Sequence, residues 1–358
     1  MSEHIPLPGK LGDPSLNLET DPRTDPRIVA AFGRLGLSGD GAMPENLPIP
    51  KEMIPAALCE MEDMQTAMLN AVGTTVPVAA DIAYRTHLIQ GAQGNDITLH
   101  IHAPAKLEGQ VPGVIHLHGG GMAILKAADK FNINLRSHIA ALGVVVIGVE
   151  FRNSAGSLGC HPFPAGLNDC SAGLHWVYDN KEQLNISNIV LAGESGGGNL
   201  ALATCLKAKN EGAVEKIDGV YAMCPYIFNS GDTAPDTLIS KRENLGYFLD
   251  ESLMAAIADM YDPASENALN PLCWPYHADN EQLIGLPPHV ISVNELDPLR
   301  DEGLSYYRKL IRAQVPATSR TVSATTHAAD LMFPADLPEA FNATLQDLVC
   351  FAKSLQKS

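Results

Sequence analysis

One stretch constrains this chain more than any other: Asn188 to Ala203, NIVLAGESGGGNLALA. Ile189-Val190-Leu191-Ala192 is short, apolar and β-branched enough to form a buried parallel strand. Gly193-Glu194-Ser195-Gly196-Gly197 follows, and then a helical pattern running to about Lys209. Ala201, Thr204, Cys205 and Ala208 recur at helical spacing, so one face of that helix is small enough to pack closely on a sheet. A strand that reverses into a helix through G-x-S-x-G is a nucleophile elbow. The glycines suit a turn too tight for side chains, which holds Ser195 in strained geometry with its hydroxyl outward. The helix behind it aims its first N–H groups and positive dipole end at the same spot.

A strand, a glycine turn and a helix also describe a dinucleotide loop, and Glu215 lies about where a ribose-binding acid would. Ser195, however, stands in the place of the second fingerprint glycine, and no Gly-Lys-Ser/Thr follows for a phosphate loop. The pattern therefore favours a serine nucleophile, and the rest of the chain must supply a base, an acid and an oxyanion hole.

The chain alternates strand and helix patterns around this stretch. Strands are expected at Ile82–Ile89, Ile97–His102, Val111–His118, Val144–Phe151, Asp218–Tyr226, His289–Asn294 and near Thr318–Ser323. Helices are expected at about Pro26–Leu35 (capped by Asp25), Ile54–Ala71, Asp129–Leu142, Pro164–Asn180, Arg300–Gln314 and Pro338–Leu355. This alternation predicts an α/β protein: a mostly parallel central sheet flanked by helices, with ligands beyond the carboxyl ends of its strands. It stops between residues 229 and 285, which read as inserted cap material. The expected layout is an N-terminal segment with cap helices over 1–78, core over 79–228, inserted cap over 229–285 and core over 286–358. Residues 1–24, rich in Pro, Gly and Asp, are expected to wrap loosely over the surface. Leu58, Met61, Met64, Met68 and Leu69 form a Met-rich helical face that reads first as plain packing, although adaptable methionines would also suit a cap over a pocket.

Composition sets limits. The net charge of −17 argues against nucleic acid or an anionic membrane as partner. No signal peptide pattern opens the sequence, and its longest apolar run, Val144 to Val149, is far too short to span a bilayer. Seven cysteines without a C-x-x-C suggest reduced, mostly buried thiols and a cytoplasmic protein. A homo-oligomer is compatible with all of this.

Downstream of Ser195 the histidines are His277, His289 and His327. His277 sits in the insertion, and His289 opens a strand, at the wrong end of the sheet. His327 follows the last strand, where a loop can present it at the carboxyl edge; the order serine, acid, histidine selects it as base. For the acid, HVISVN runs into Glu295-Leu296-Asp297. Asp297 is first past the strand; Asp301 suits the N-terminal turn of the next helix, and Glu295 still reads as part of the strand. Asp297 would orient His327 and stabilise its imidazolium. His118-Gly119-Gly120-Gly121 directly after a strand offers backbone N–H groups for an oxyanion hole, with Gly196 adding another. His100/His102 and His116/His118 form two H-x-H pairs, but no suitably spaced third ligand stands out, and His118 is expected to brace its own loop. No metal and no cofactor are expected.

Together HGGG, GESGGGNLALA, NELDPLRDEG and a histidine 30 residues past Asp297 resemble the hormone-sensitive lipase family of α/β-hydrolase esterases. The resemblance spans roughly residues 80–350 and, more weakly, the N-terminal segment. It implies the α/β-hydrolase fold with a helical cap, and a small-molecule, short-acyl carboxylic ester as substrate. It also implies Ser195 as nucleophile, Asp297 as acid, His327 as base, and Gly120, Gly121 and Gly196 as oxyanion donors. Many members of that family carry Ala after the serine and Asp or Thr before it. Gly196 keeps the donor and is expected to make the elbow more pliable, whereas the role of Glu194 is not readable from sequence. The same machinery permits hydrolysis of amides, thioesters or lactones, and a hydrolase-fold binding protein without turnover is the alternative of another class.

Overall fold

In the computed structural model the elbow strand lies in the interior of an eight-stranded sheet. The structure describes residues 7–37, 39, 49–78, 80–229 and 234–356. Outside them fall parts of the expected N-terminal segment, residue 79, where the core was expected to begin, and residues 230–233 near the start of the expected insertion.

Two N-terminal helices, α1 (Pro26–Arg34) and α2 (Ile54–Gly73), precede the strands β1 (Ile82–Gln90), β2 (Asp96–Pro104) and β3 (Val111–Leu117). Alternation then sets in with α3 (Lys130–Ala140), β4 (Val145–Val149), α4 (Ala165–Asp179) and β5 (Ile186–Glu194). Helix α5 (Gly196–Asn210) and β6 (Gly219–Met223) follow. The interrupting region holds α6 (Ser240–Glu243), α7 (Glu251–Tyr261) and α8 (Asn280–Leu283). The chain closes with β7 (His289–Asn294), α9 (Arg300–Arg312), β8 (Ala317–Val322), α10 (Ala329–Met332) and α11 (Pro338–Ser354).

The strand order is β1-β2-β4-β3-β5-β6-β7-β8. β2 pairs antiparallel with both β1 and β4, and every other neighbouring pair is parallel. β4, β6 and β7 are buried along their whole length, as strands with helices over both faces must be. Parallel pairing brings the carboxyl ends of β3, β5, β6, β7 and β8 to one edge.

Two expectations are corrected. Residues 7–24 do not lie loosely: Leu18 is buried, and Asp21 accepts hydrogen bonds from Arg23 and from Tyr247 Oη (2.9 Å). Arg23 also reaches Glu243, which pairs with Arg300 at 2.8 Å. The partners lie more than 200 residues downstream, so local composition cannot show them. On α2, Leu58 and Leu69 are buried and Met68 packs against the core, but Met64 faces solvent.

The buried arginine of α3 explains a glycine in β4. Arg136 is fully buried; its Nε donates to His102 Nε2 (3.2 Å) and its Nη2 to the Ala127 carbonyl. Burial pulls its pKa down to about 10, and burial with the nearby Arg136 charge holds His102 down to about 3, neutral and able to accept. His102 Nδ1 must then carry the proton, given to Ser137 Oγ (3.0 Å), which donates on to the Ile133 carbonyl (2.8 Å). A Cβ on Gly148 would stand 2.7 Å from the Arg136 Cζ and Nη1. Gly148→Ala is therefore expected to destabilise the fold by about 1–3 kcal/mol, because the guanidinium cannot retreat without losing both bonds. Urea unfolding should show a lower midpoint at unchanged slope; a wild-type midpoint would mean that Arg136 shifts freely.

Candidate active site

Ser195 sits between β5 and α5 at φ +55°, ψ −118°, the strained elbow geometry that its flanking glycines suggest. Its N–H donates to the Met223 carbonyl (2.9 Å), and its carbonyl accepts from Asn199 N and Tyr226 N. The glycines beside it serve close approach. A Cβ on Gly193 would lie 2.3 Å from the Gly197 carbonyl oxygen, and one on Gly197 only 1.9 Å from that of Leu117. At Gly196 a methyl would meet Met122 N at 2.6 Å and Gly121 N at 2.7 Å. Glycine there lets the loop after β3 lie against the elbow.

That loop is braced from several sides. Glu194 is buried, with Oε1 accepting from Gly119 N and Oε2 paired with His116 Nε2, each at 2.8 Å. Burial opposes its charge, but His116 and the Gly119 N–H outweigh that and lower its pKa below the ordinary carboxylate value. Glu194 therefore stays ionised and ties the elbow to the loop. One correction follows: the N–H of Gly119 is committed to Glu194, which takes it out of the oxyanion set. Gly120 (φ +102°) and Gly121 (φ +63°) remain, in backbone that disfavours side chains. His118 Nδ1 donates to the Gly119 carbonyl (2.7 Å) and its ring stacks on Phe151, the bracing expected of it. Sequence reasoning missed Glu62: buried on α2, it accepts from Leu125 N (2.9 Å) and Ser157 N (2.7 Å). Its only trace is its place four residues after Leu58 on the apolar face, with Glu60 and Asp63 as acidic neighbours in the chain.

Asp297 and His327 meet as the sequence order requires. Asp297 is fully buried; its Oδ1 accepts from Leu299 N (2.8 Å) and its Oδ2 pairs with His327 Nδ1 at 2.7 Å. Asn294 Nδ2 holds the histidine loop through Thr325 Oγ1 (2.7 Å) and Asp330 Oδ1 (2.9 Å). Burial opposes the charged imidazole, but Asp297, and then Cys224, raise the His327 pKa well above the ordinary value. The rejected candidates lie elsewhere. Glu295 Oε2 accepts from Ala324 N, Asp301 stands in the first turn of α9, and His289 Nδ1 donates to the Pro287 carbonyl. His277 rests against Phe228 and Tyr276 in the insertion.

A cavity of about 90 Å³ joins these parts: Ser195, His327, Glu194 and Gly119 to Gly121 line it. Its remaining walls are mainly apolar, with Met68 and Leu69 of α2, Phe131 of α3, and Leu253 and Ile257 of α7. Ile257 also packs on the loop itself, since a Cβ on Gly121 would come within 2.6 Å of its Cγ2.

Comparison with known proteins agrees with this architecture. Residues 114–331 match the family model described as the alpha/beta hydrolase fold. Carboxylesterase NlhH of Mycobacterium tuberculosis is 30% identical over 73% of this chain and 79% of its own length. An arylesterase of Saccharolobus solfataricus is 30% identical over 65% of this chain and 72% of its own. Among solved structures, brefeldin A esterase, described as a bacterial homologue of human hormone sensitive lipase, superposes with a TM-score of 0.94 at 41% identity. That match covers 98% of this chain and 99% of the other. With the family match spanning more than half of its length, the chain belongs to the α/β-hydrolase fold family.

Proposed function

We propose that the chain is a serine carboxylesterase acting on small esters through an acyl-enzyme intermediate. One observation carries this: Ser195 and His327 line the same apolar cavity, with Asp297 buried behind the imidazole and a glycine loop locked against the elbow. Relatives named carboxylesterase, arylesterase and esterase support the same reaction class.

In this mechanism the Ser195 hydroxyl attacks the ester carbonyl carbon while an imidazole nitrogen of His327 takes its proton. Asp297, bound to Nδ1, fixes the tautomer that leaves Nε2 as base and stabilises the imidazolium once formed. The N–H groups of Gly120, Gly121 and Gly196 face the developing oxyanion. Collapse expels the alcohol, which takes the proton back from His327. Water, deprotonated by the same imidazole, then releases the carboxylic acid and restores Ser195. A cavity of about 90 Å³ suits a short acyl group.

Ser195→Ala is expected to reduce kcat on a short-chain nitrophenyl ester by on the order of 10⁴–10⁶. Near-full activity would end the assignment. The pH dependence has a fixed sign. Because the carboxylate raises the His327 pKa, the ring is still protonated, and unable to act as base, at pH values where an ordinary histidine of about 6.5 would be free. The acid limb of kcat/KM should therefore lie above about pH 6.5 and move to lower pH in Asp297→Asn; a profile flat down to pH 4 would exclude a histidine base. Gly196→Ala would thrust a methyl into the Gly121–Met122 backbone and displace the proposed donors. Its kcat should fall by about 10–100-fold with KM changing much less, whereas an unchanged kcat would show that the loop yields without consequence.

A further inference from the structure

Beside His327 lies a thiol that the proposed hydrolysis does not use. Cys224 follows β6, held by its N–H on the Ser292 carbonyl (2.7 Å), and is almost fully buried. Its Sγ, a carboxylate oxygen of Asp297 and a ring nitrogen of His327 all lie within 4.8 Å of one another. Among the described residues they form the one group of three such side chains close enough to hold a metal ion.

We propose that Cys224, His327 and Asp297 form an inhibitory binding site for a thiophilic divalent cation of the zinc class, one that takes His327 out of catalysis. The proposal rests on the assignment of His327 and Asp297 as base and acid. Thiolate, imidazole and carboxylate are all donors that zinc accepts, at about 2.0–2.3 Å each. Tetrahedral bonding at those lengths sets the donors about 3.3–3.8 Å apart, within the observed spread. The Asp297–His327 contact at 2.7 Å opens by roughly half an ångström or more to admit the ion. Magnesium and calcium are poor occupants, because they seek several oxygen ligands and the site offers one carboxylate and a soft sulfur. On binding, Cys224 loses its thiol proton and the coordinating nitrogen any proton it carries, both to solvent; nothing is oxidised or reduced. The metal then occupies either the nitrogen that Asp297 orients or the one that takes the serine proton, and both outcomes stop turnover. The ion is an inhibitor here and takes no part in ester cleavage.

The test uses the full-length enzyme with exposed Cys59, Cys160 and Cys350 replaced by serine, so that surface thiols do not compete. Cd²⁺ reports thiolate ligation through its ultraviolet charge-transfer band, Zn²⁺ is titrated against activity, and EDTA tests reversal. The expected result is one Cd²⁺ per chain with a thiolate band, and Zn²⁺ inhibition fully reversed by EDTA. Cys224→Ala should abolish the band. It should also raise the half-inhibitory Zn²⁺ concentration, measured against its own metal-free rate, by more than the about 10–100-fold lost with a mere outer-shell partner. Cys224→Ser, closer in shape, makes the same comparison if the alanine variant does not fold, and the band carries it if basal activity is low. Superposable inhibition curves, a band that persists without Cys224, or no band at all would overturn the proposal. Recording the band in Ser195→Ala as well separates the two ideas. A band with full activity there would sink the catalytic assignment and leave the site standing, whereas an inactive variant without a band would do the reverse.

Discussion

Backbone running against backbone, with no side chain between, is the contact on which this active centre depends. The Gly197 Cα turns toward the carbonyl oxygen of Leu117, Gly193 faces that of Gly197, and Gly196 faces the amides of Gly121 and Met122. Each approach is shorter than any Cβ allows, and together they make the end of β3 and the start of α5 a single packed unit. The parallel register of β3 and β5, with Leu117 opposite Gly193, delivers the two segments to the same level. Packing this close resists small displacement, which is what a site needs when donors must wait at the place where charge will form.

Charge is placed with the same economy. Glu194 is buried beside the proposed nucleophile, where an unpaired carboxylate would be costly. Its two oxygens are instead divided between the Gly119 amide and His116. The first contact spends an N–H that would otherwise look available for catalysis, and in return fixes the orientation of the next two. Asp297 is treated alike: one oxygen takes the Leu299 amide and the other the imidazole. In both acids one oxygen accepts from a backbone amide while the other pairs with an imidazole, so the carboxylates are positioned before any substrate arrives.

The parts legible in the sequence are those set by chain order and local pattern. The elbow, the glycine loop after β3 and the acid past β7 each follow a strand that its own apolar run announces, and parallel pairing then brings them to one edge. His327 could be chosen over His277 and His289 because only it follows the last strand. What escaped notice depends on partners far apart in the chain. Glu62 has no pattern of its own on the methionine-rich helix, and only the amides of Leu125 and Ser157 give its burial a purpose. Asp21 and Arg23 sat in a stretch whose composition suggests a loose wrap, yet they join Glu243 and Tyr247 in a buried cluster. Gly119 departs from the expected donor role for a similar reason: the pattern marks it as a glycine of the right loop and is silent on where its N–H goes.

Those same distant contacts bear on how the helices over the site relate to the chemistry beneath. A cap that merely covers a pocket would touch the core through side chains remote from the reacting atoms. Here α2 holds Leu125 through Glu62, and α7 presses Ile257 into the space that a side chain on Gly121 would fill. The elements that line the cavity are thus the elements packed against the loop of the proposed oxyanion donors. A change in Ile257 that enlarged the cavity would also remove support from Gly121, so in the proposed mechanism substrate fit and transition-state stabilisation do not vary independently. In that mechanism selectivity and rate draw on the same packing, which gives a reason for a close contact where an adaptable face would admit more shapes.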